Sequence, residues 1–215
     1  MHFNTAVFHD KESDVNSLME LYSFDYEENL EFNLEFTQKQ AIAEFNHFKK
    51  TNKDYKSVDD FMENYHCYCK NDDGDWGNMS NPDGLYDWFE IGGRWKNILY
   101  KKVSKVEMKK VQDKELKIRT KFRLSEYMRL KMLTPEAYYR EKDDRGKTTI
   151  RVRDLDIKTT LVMAENWAGK RPEIGELFET LICEEGGIRE TDDFMKLLEF
   201  WKARDGYITI VDYHS

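Results

Sequence analysis

The residues best suited to chemistry lie in one short stretch, Trp-Phe-Glu-Ile-Gly-Gly-Arg-Trp at positions 88–95. If this stretch begins as a strand, Trp88 and Glu90 project to one face, because successive side chains of a strand alternate. Arg94 has a planar guanidinium that suits a carboxylate or a phosphate, and Trp88 or Trp95 has a ring face on which a base can stack. These residue types predict a binding site for a partner protein or for a nucleotide-like small molecule.

The two glycines of the stretch add to this prediction. Gly92 and Gly93 permit a positive φ and let a ligand or another backbone approach closely. The stretch also has a structural interpretation, in which an Arg94–Glu90 or an Arg94–Asp212 ion pair holds the fold together without any ligand. The residue types leave both interpretations open.

The C-terminal segment carries a second pair of reactive side chains. Asp212 and His214 are two residues apart, so they share a face if the segment is a strand. A histidine next to a carboxylate can serve as a general base, although polar residues at a strand end are often simply exposed. If this strand lies beside the Trp88 strand, Glu90 and Arg94 converge with Asp212 and His214.

Other motifs argue against several common classes of protein. His66, Cys67 and Cys69 have no second cluster of donors, so we expect no zinc site. The acidic loop that begins at Asn71 does not fit a calcium-binding EF-hand, because its sixth residue is tryptophan rather than glycine. No dinucleotide fingerprint, P-loop or nucleophile elbow occurs, and we therefore expect no metal, no cofactor and no common catalytic motif.

The composition is that of a globular protein. The chain has 215 residues, of which 14% are aromatic and 35% charged. No apolar run approaches the roughly 18 to 20 residues of a membrane span, and the N-terminus does not resemble a secretory signal. Three cysteines are an odd number, which favours reduced thiols in a cytoplasm over a disulfide framework. We therefore expect a cytoplasmic protein that does not act at a membrane.

The net charge of −8 conceals a strong asymmetry along the chain. Residues 1–95 have 20 acidic and 8 basic side chains, residues 96–158 have 10 and 20, and residues 159–215 have 12 and 6. The basic middle segment could neutralise its flanks within one fold or bind an anionic partner. An acidic face that mimics nucleic acid is a further alternative.

Periodicity and turn residues predict the elements that must position these side chains. Strands are expected at 1–8, 86–91, 94–103, 148–155, 158–167 and 207–214. Helices are expected at 15–22, 38–50, 58–66, 106–133, 173–184 and 192–204, with a further helical turn that starts at 134–136. A loop is expected at 70–84, and the Gly-Gly step at 92–93 is expected to turn a hairpin. This order indicates an α+β fold in which an antiparallel or mixed sheet has helices on one side. We expect a single domain over 1–215, with a basic helical insert at about 104–146.

Several segments together resemble a known group of proteins. They are YSFDYEEN at 22–29, SNP at 80–82, YDWFEIGGRW at 86–95 and VDYH at 211–214. The combination, with its W-x-x-I-G-G-R-W motif and its C-terminal V-D-x-H strand, is similar to a family encoded by bacteriophages and prophages. The lysine-rich helical block departs from that family, which continues with short strands. The resemblance implies a phage or mobile-element accessory protein in the cytoplasm of an infected bacterium.

The function expected from these features is binding rather than catalysis. The first expectation is a non-enzymatic inhibitor that binds a host protein, in counter-defence or host takeover. The alternative is a protein that binds or hydrolyses a nucleotide-like molecule at the Trp88–Arg94 patch. Direct binding of nucleic acid by the basic block over 101–131 is less favoured, because the whole chain is acidic. The candidate binding residues are Trp88, Glu90, Gly92, Gly93, Arg94, Trp95, Asp212 and His214.

Overall fold

The structure is a computed structural model that describes residues 1–11, 13–51, 54–118, 128, 133–135, 138–139, 146–168 and 177–215. The fold is α+β, as predicted. The chain forms two compact units, one made of residues 1–15 with 88–215 and the other of residues 16–87. The expectation of a single domain stays a prediction.

The elements follow one another in this order along the described chain. The strands are β1 (His2–His9), β2 (Glu31–Phe36), β3 (Cys69–Lys70), β4 (Trp76–Ser80), β5 (Trp88–Ile91), β6 (Thr149–Arg151), β7 (Thr180–Cys183), β8 (Gly187–Arg189) and β9 (Tyr207–His214). The helices are α1 (Val15–Glu20), α2 (Gln38–Phe48), α3 (Val58–Asn64), α4 (Lys105–Ile118), α5 (Ile157–Ala168) and α6 (Phe194–Ala203). Short 3₁₀ turns occupy Glu27–Asn29, Gly93–Trp95, Val152–Asp154 and Thr191–Asp193.

The larger unit is built on a mixed sheet of the order β5-β9-β1-β7-β8, with β6 also paired to β9. β9 is antiparallel to β1 along its whole length, from Tyr207 opposite His9 to His214 opposite His2. On its other edge β9 pairs first with β6 and then with β5, so that Trp88 lies opposite His214. β1 and β7 are parallel, which makes the sheet mixed.

The core of this unit lies on one face of the sheet, under α5 and α6. Ala6 and Phe8 of β1 and Ile208 and Ile210 of β9 point to the same face, because they are two residues apart. α6 buries Trp201 completely against this face, as its apolar stripe predicted. The sheet therefore has a dry apolar half, and polar residues replace the apolar ones toward the start of β1 and the end of β9.

The smaller unit has a three-stranded antiparallel sheet of the order β2-β4-β3 and its own core beside α2 and α3. Thr37 begins α2 with a capping box, since its hydroxyl accepts from the backbone N–H of Gln40 and the Gln40 side chain accepts from the N–H of Thr37. Such caps satisfy backbone donors that have no partner inside the helix. The buried residues of this core are Ala41, Phe45, Phe61, Met62 and Trp76.

The predicted hairpin at the Gly-Gly step is wrong. After β5 the chain enters a 3₁₀ turn over Gly93–Trp95 instead of returning as a strand, and β5 pairs with β9. Of the predicted strand over 94–103, only Leu99 and Lys101 make isolated bridges, to Lys147 and Leu155. The positive φ values of the two glycines close a tight turn that redirects the chain away from β5.

Four further predictions differ from the structure in the type or the length of the element. The expected loop at 70–84 contains β4, whose Trp76 is buried and whose pairing partner is β2. The expected strand at 158–167 is the helix α5, which Asp156 begins by accepting from the N–H and the hydroxyl of Thr159. Residues 173–176 of the expected helix at 173–184 lie outside the described residues, and residues 180–183 form the strand β7, which lies between β1 and β8. The expected strand at 148–155 is shortened to β6.

The basic insert is helical where the structure describes it. α4 confirms the start of the predicted helix, while most of the remainder of that helix lies outside the described residues. Among the helices that are described, none is long and apolar enough to cross a membrane.

Candidate binding site

The centre of the predicted site is the carboxylate of Asp212, which is only 1% exposed. It lies in β9 between Asn4 of β1 and Glu90 of β5. One oxygen, Oδ2, accepts from the backbone N–H of Arg94 at 3.0 Å. The other oxygen, Oδ1, lies 3.1 Å from Nδ1 of His2. A buried carboxylate needs such donors, and both come from sequence positions more than 100 residues away.

The Gly-Gly turn fits directly against this carboxylate. Gly92 has a φ of 79° and donates its N–H to the carbonyl of Ile210 at 2.8 Å. Gly93 has a φ of 40°, and a Cβ placed on it would lie 2.3 Å from Cβ of Asp212. Both glycines are therefore needed for the conformation and for the close approach. This part of the motif organises the fold.

His2 forms a dyad with Asp212. Because a carboxylate only accepts, Nδ1 of His2 carries the proton in this contact. The His2 side chain is 26% exposed, and within the described chain its Nε2 has no hydrogen-bond partner. A buried carboxylate that orients an accessible imidazole is an arrangement able to accept or donate a proton.

His214 extends the same row of rings toward Trp88. The ring centroids of His2 and His214 are 5.4 Å apart, and those of His2 and Trp88 are 5.9 Å apart, both edge to face. The N-terminal ammonium of Met1 lies 3.1 Å from Nε2 of His214 and also donates to the carbonyl of Ser215. These contacts place His214 beside the N-terminal ammonium and in one row with His2.

The exposed part of the site is formed by Trp88 and Arg94. Trp88 is 47% exposed although it is one of the largest apolar side chains. The Arg94 side chain is exposed, and its guanidinium has no ion pair or hydrogen bond within the described part of the chain. The predicted pairs of Arg94 with Glu90 or Asp212 are thus not formed, because Arg94 reaches Asp212 with its backbone.

The remaining predicted residues divide between surface and core. Glu90 is exposed on β5, opposite Asp212 in the register. Trp95 is partly buried and packs against the main core, so its ring is not on the surface with Trp88. The register of β5 and β9 therefore places Trp88 opposite His214 and Glu90 opposite Asp212, while Trp95 packs in the core apart from them.

Sequence reasoning missed His2 and Asn4. Asn4 is buried, donates to the carbonyl of Leu177 and accepts from the N–H of Glu179, so it fixes the segment that leads into β7. His2 and Asn4 alternate in the first strand in the same way as Asp212 and His214 in the last one. That matching alternation was the available signal, but only the pairing of β1 with β9 gives it meaning.

The chemistry open to this arrangement is recognition of an anion or of an aromatic group. The Arg94 guanidinium and the imidazole of His2 supply donors, and Trp88 supplies a surface for stacking. No cluster of three or more histidine, cysteine or carboxylate side chains that could hold a metal ion occurs in the described residues.

The chain was compared with protein-family models, with curated proteins and with solved structures. No protein-family model, no curated protein and no solved structure matches the chain.

Proposed function

We propose that the chain is an accessory protein of a bacteriophage or mobile element that binds a host protein in the bacterial cytoplasm and inhibits it without a reaction of its own. The observation that carries this proposal is the exposure of Trp88 on the edge strand β5, in a site where the exposed Arg94 guanidinium has no ion pair among the described residues. Tryptophan and arginine are the residue types that most often dominate the energy of protein interfaces.

The support for Trp88 is specific to its position. The ring is held edge-on by His2, so little conformational freedom is lost when a partner covers it. Beneath the surface, Asp212 and the Gly-Gly turn fix the backbone of Arg94. An aromatic anchor with a restricted ring, on one surface with an exposed arginine, is suited to a partner that offers an apolar pocket with a carboxylate at its rim.

The test is capture of a partner by the full chain and by variants. The tagged protein is incubated with lysate of a bacterial host at low and at high salt, captured proteins are identified, and binding is repeated with the purified partner. Trp88→Ala is expected to weaken that binding by at least about 30-fold, as for an interface hot spot. Leu34→Ala removes a similarly exposed apolar side chain, 55% exposed, on β2 of the other unit and serves as the matched control. Equal binding by both variants would refute the proposed surface.

A nucleotide-like small molecule at the same surface is the second candidate. Its specific support is the His2–Asp212 dyad, whose accessible Nε2 lies in the ring contacting Trp88. A thermal-shift panel of nucleotides, with analysis of products, separates binding from hydrolysis. Loss of an observed shift in Arg94→Ala would support this candidate, and an unchanged shift would place the ligand elsewhere.

A further inference from the structure

A cavity lies between the β7–β8 turn and α6, at the opposite edge of the sheet from Trp88. Its volume is about 430 Å³, within the range of about 300 to 1,000 Å³ that is usual for small-molecule sites. The residues that line it are Cys183, Glu185, Gly186, Arg189, Asp193, Lys196, Leu197 and Phe200. None of the predicted site residues is among them.

The walls combine an apolar side with charged side chains. Leu197 and Phe200 of α6 are three residues apart and lie on one side of the helix. Cys183 is buried, and its sulfur accepts from Nε1 of Trp201 at 3.3 Å. An apolar wall with a few polar groups is the usual composition of a ligand pocket.

Both carboxylates in the walls of the cavity are paired with basic side chains, and one arginine of the walls has no such pair among the described residues. Glu185 is paired with Arg204 at 2.7 Å, and Asp193 is paired with Lys196 at 2.6 Å. This hydrogen bond from Lys196 is the main reason that the pKa of Asp193 is lowered, with a smaller effect of the charge of Arg189. Arg189 itself has no ion pair or hydrogen bond within the described part of the chain.

The guanidinium of Arg189 occupies the space that a side chain at position 186 would fill, because residue 186 is glycine. A Cβ on Gly186 would lie 2.3 Å from Nη2 of Arg189, so the guanidinium lies against the turn where a side chain would otherwise be. The φ of Gly186 is not in the left-handed region, so the backbone of this turn does not itself require glycine. What Gly186 provides is room for Arg189 at the mouth of the cavity.

We propose that this cavity binds a small organic anion, a carboxylate with an apolar body. The carboxylate pairs with the guanidinium of Arg189, which offers the planar donors that match it. The apolar body lies against Leu197 and Phe200. This site is independent of the partner surface around Trp88.

Octanoate is a suitable probe, and octanamide is its neutral counterpart of equal length. Titration calorimetry on the full chain is expected to show saturable binding of octanoate and binding of octanamide weaker by at least about tenfold, because the charge-assisted contact is lost. Amide chemical shifts are expected to change mainly at residues 183–189 and 193–200. Absence of saturable binding, equal binding of both probes, or shift changes concentrated elsewhere would each overturn the proposal.

Two variants separate the roles of charge and room. Arg189→Gln removes the cation, and Gly186→Ala displaces the guanidinium while a flexible side-chain tip gives way; each is expected to weaken octanoate binding by at least about tenfold. Arg153→Gln changes a half-exposed arginine outside the cavity that pairs with Asp205, and it is expected to bind octanoate as the unmodified chain does. Thermal midpoints close to that of the unmodified chain confirm that the variants fold. Retention of full octanoate affinity by Arg189→Gln would refute the assignment.

Discussion

The contacts of Asp212 show that the Gly-Gly-Arg motif, whose residue types suggest a function, has a structural role. Its carboxylate is buried, receives one backbone donor from the Gly-Gly turn and orients His2 on the other side. Gly93 is explained by its close approach to Asp212, and Gly92 by its positive φ and by the Lys96 and Thr148 side chains that an added Cβ would meet, without any ligand. These backbone contacts do not explain why the side chains of Trp88 and Arg94 are exposed. That exposure supports the proposed binding surface.

Gly93→Ala tests the close approach to Asp212. The new Cβ would meet the Asp212 side chain in a turn whose φ is already positive, so the free energy of unfolding should fall by about 2–4 kcal/mol, from strain and overpacking together. Gly74→Ala is the matched control, because Gly74 has a φ of 85° but nothing closer than 3.7 Å to an added Cβ. Gly74→Ala should cost about 1 kcal/mol, from the positive φ alone. Urea unfolding measures both variants, and equal losses would show that the contact with Asp212 is unimportant.

The helices that depend on interactions between near neighbours in the sequence were predicted from local sequence patterns. α2 follows from the capping box of Thr37, and α6 follows from a stripe that ends in the buried Trp201. β4 could not be predicted in the same way, because Gly77 in a turn-rich segment looks like a loop residue. In the fold Gly77 lets β2 approach, since a Cβ there would lie 1.9 Å from the carbonyl oxygen of Asn33. Only the pairing of two distant strands gives that glycine its role.

α5 was not predicted from the sequence, and the candidate site was predicted only in part. The β-branched residues at its start favour a strand by composition, whereas the side chain of Asp156 begins a helix there. For the site, the sequence predicted that Glu90 and Arg94 converge with Asp212 and His214 if their two strands are neighbours, and β5 and β9 are neighbours in the sheet. It could not include His2, because its role depends on the pairing of the two ends of the chain.

His9 makes the pairing of β1 with β9 sensitive to pH. Its ring is buried, with Nδ1 2.7 Å from the carbonyl of Asp10 and Nε2 2.8 Å from the hydroxyl of Thr209. Burial lowers the pKa of His9 below the ordinary 6.5, although the Asp10 carbonyl and the charges of Glu184 and Asp10 act in the opposite direction. The unfolded chain therefore binds this proton more readily than the folded one, and stability is lost as the pH falls below about 6.5.

We expect the free energy of unfolding to decrease between pH 7.5 and pH 5.5, with the part due to His9 limited to about 1.4 kcal/mol per pH unit for one proton. His9→Gln retains a donor and an acceptor but does not titrate, so its stability should change less over the same interval. Urea unfolding at a series of pH values compares the two proteins. An equally steep decrease in His9→Gln would show that other groups cause it.

At the scale of the whole molecule, the open question is whether the basic segment neutralises the acidic flanks or remains available to a partner. Arg151 and Arg153 do reach Asp205 of the last segment, at 3.6 and 3.1 Å. On α4, by contrast, Lys105 and Lys109 are exposed four residues apart, as are Lys110 and Lys114. Like charges at this spacing repel each other along a helix, while Asp113, four residues after Lys109 and three after Lys110, offsets part of that repulsion. These exposed lysines are suited to an anionic partner.

This view predicts that salt stabilises the free protein. Raising sodium chloride from about 0.05 to about 0.5 M shortens the screening length several-fold, and it should raise the free energy of unfolding by about 0.3–1 kcal/mol if repulsion dominates. Lys105→Gln removes one repelling pair and no attractive one, since Met108 and Lys109 follow it three and four residues later, and it should itself add about 0.2–0.5 kcal/mol at low salt, with less added at high salt. Lys70→Gln is the opposite control, because Lys70 pairs with Asp59 at 3.0 Å and its removal should not stabilise. A free energy of unfolding that falls with added salt would mean that attraction between the segments dominates, and that the basic segment serves the fold rather than a partner.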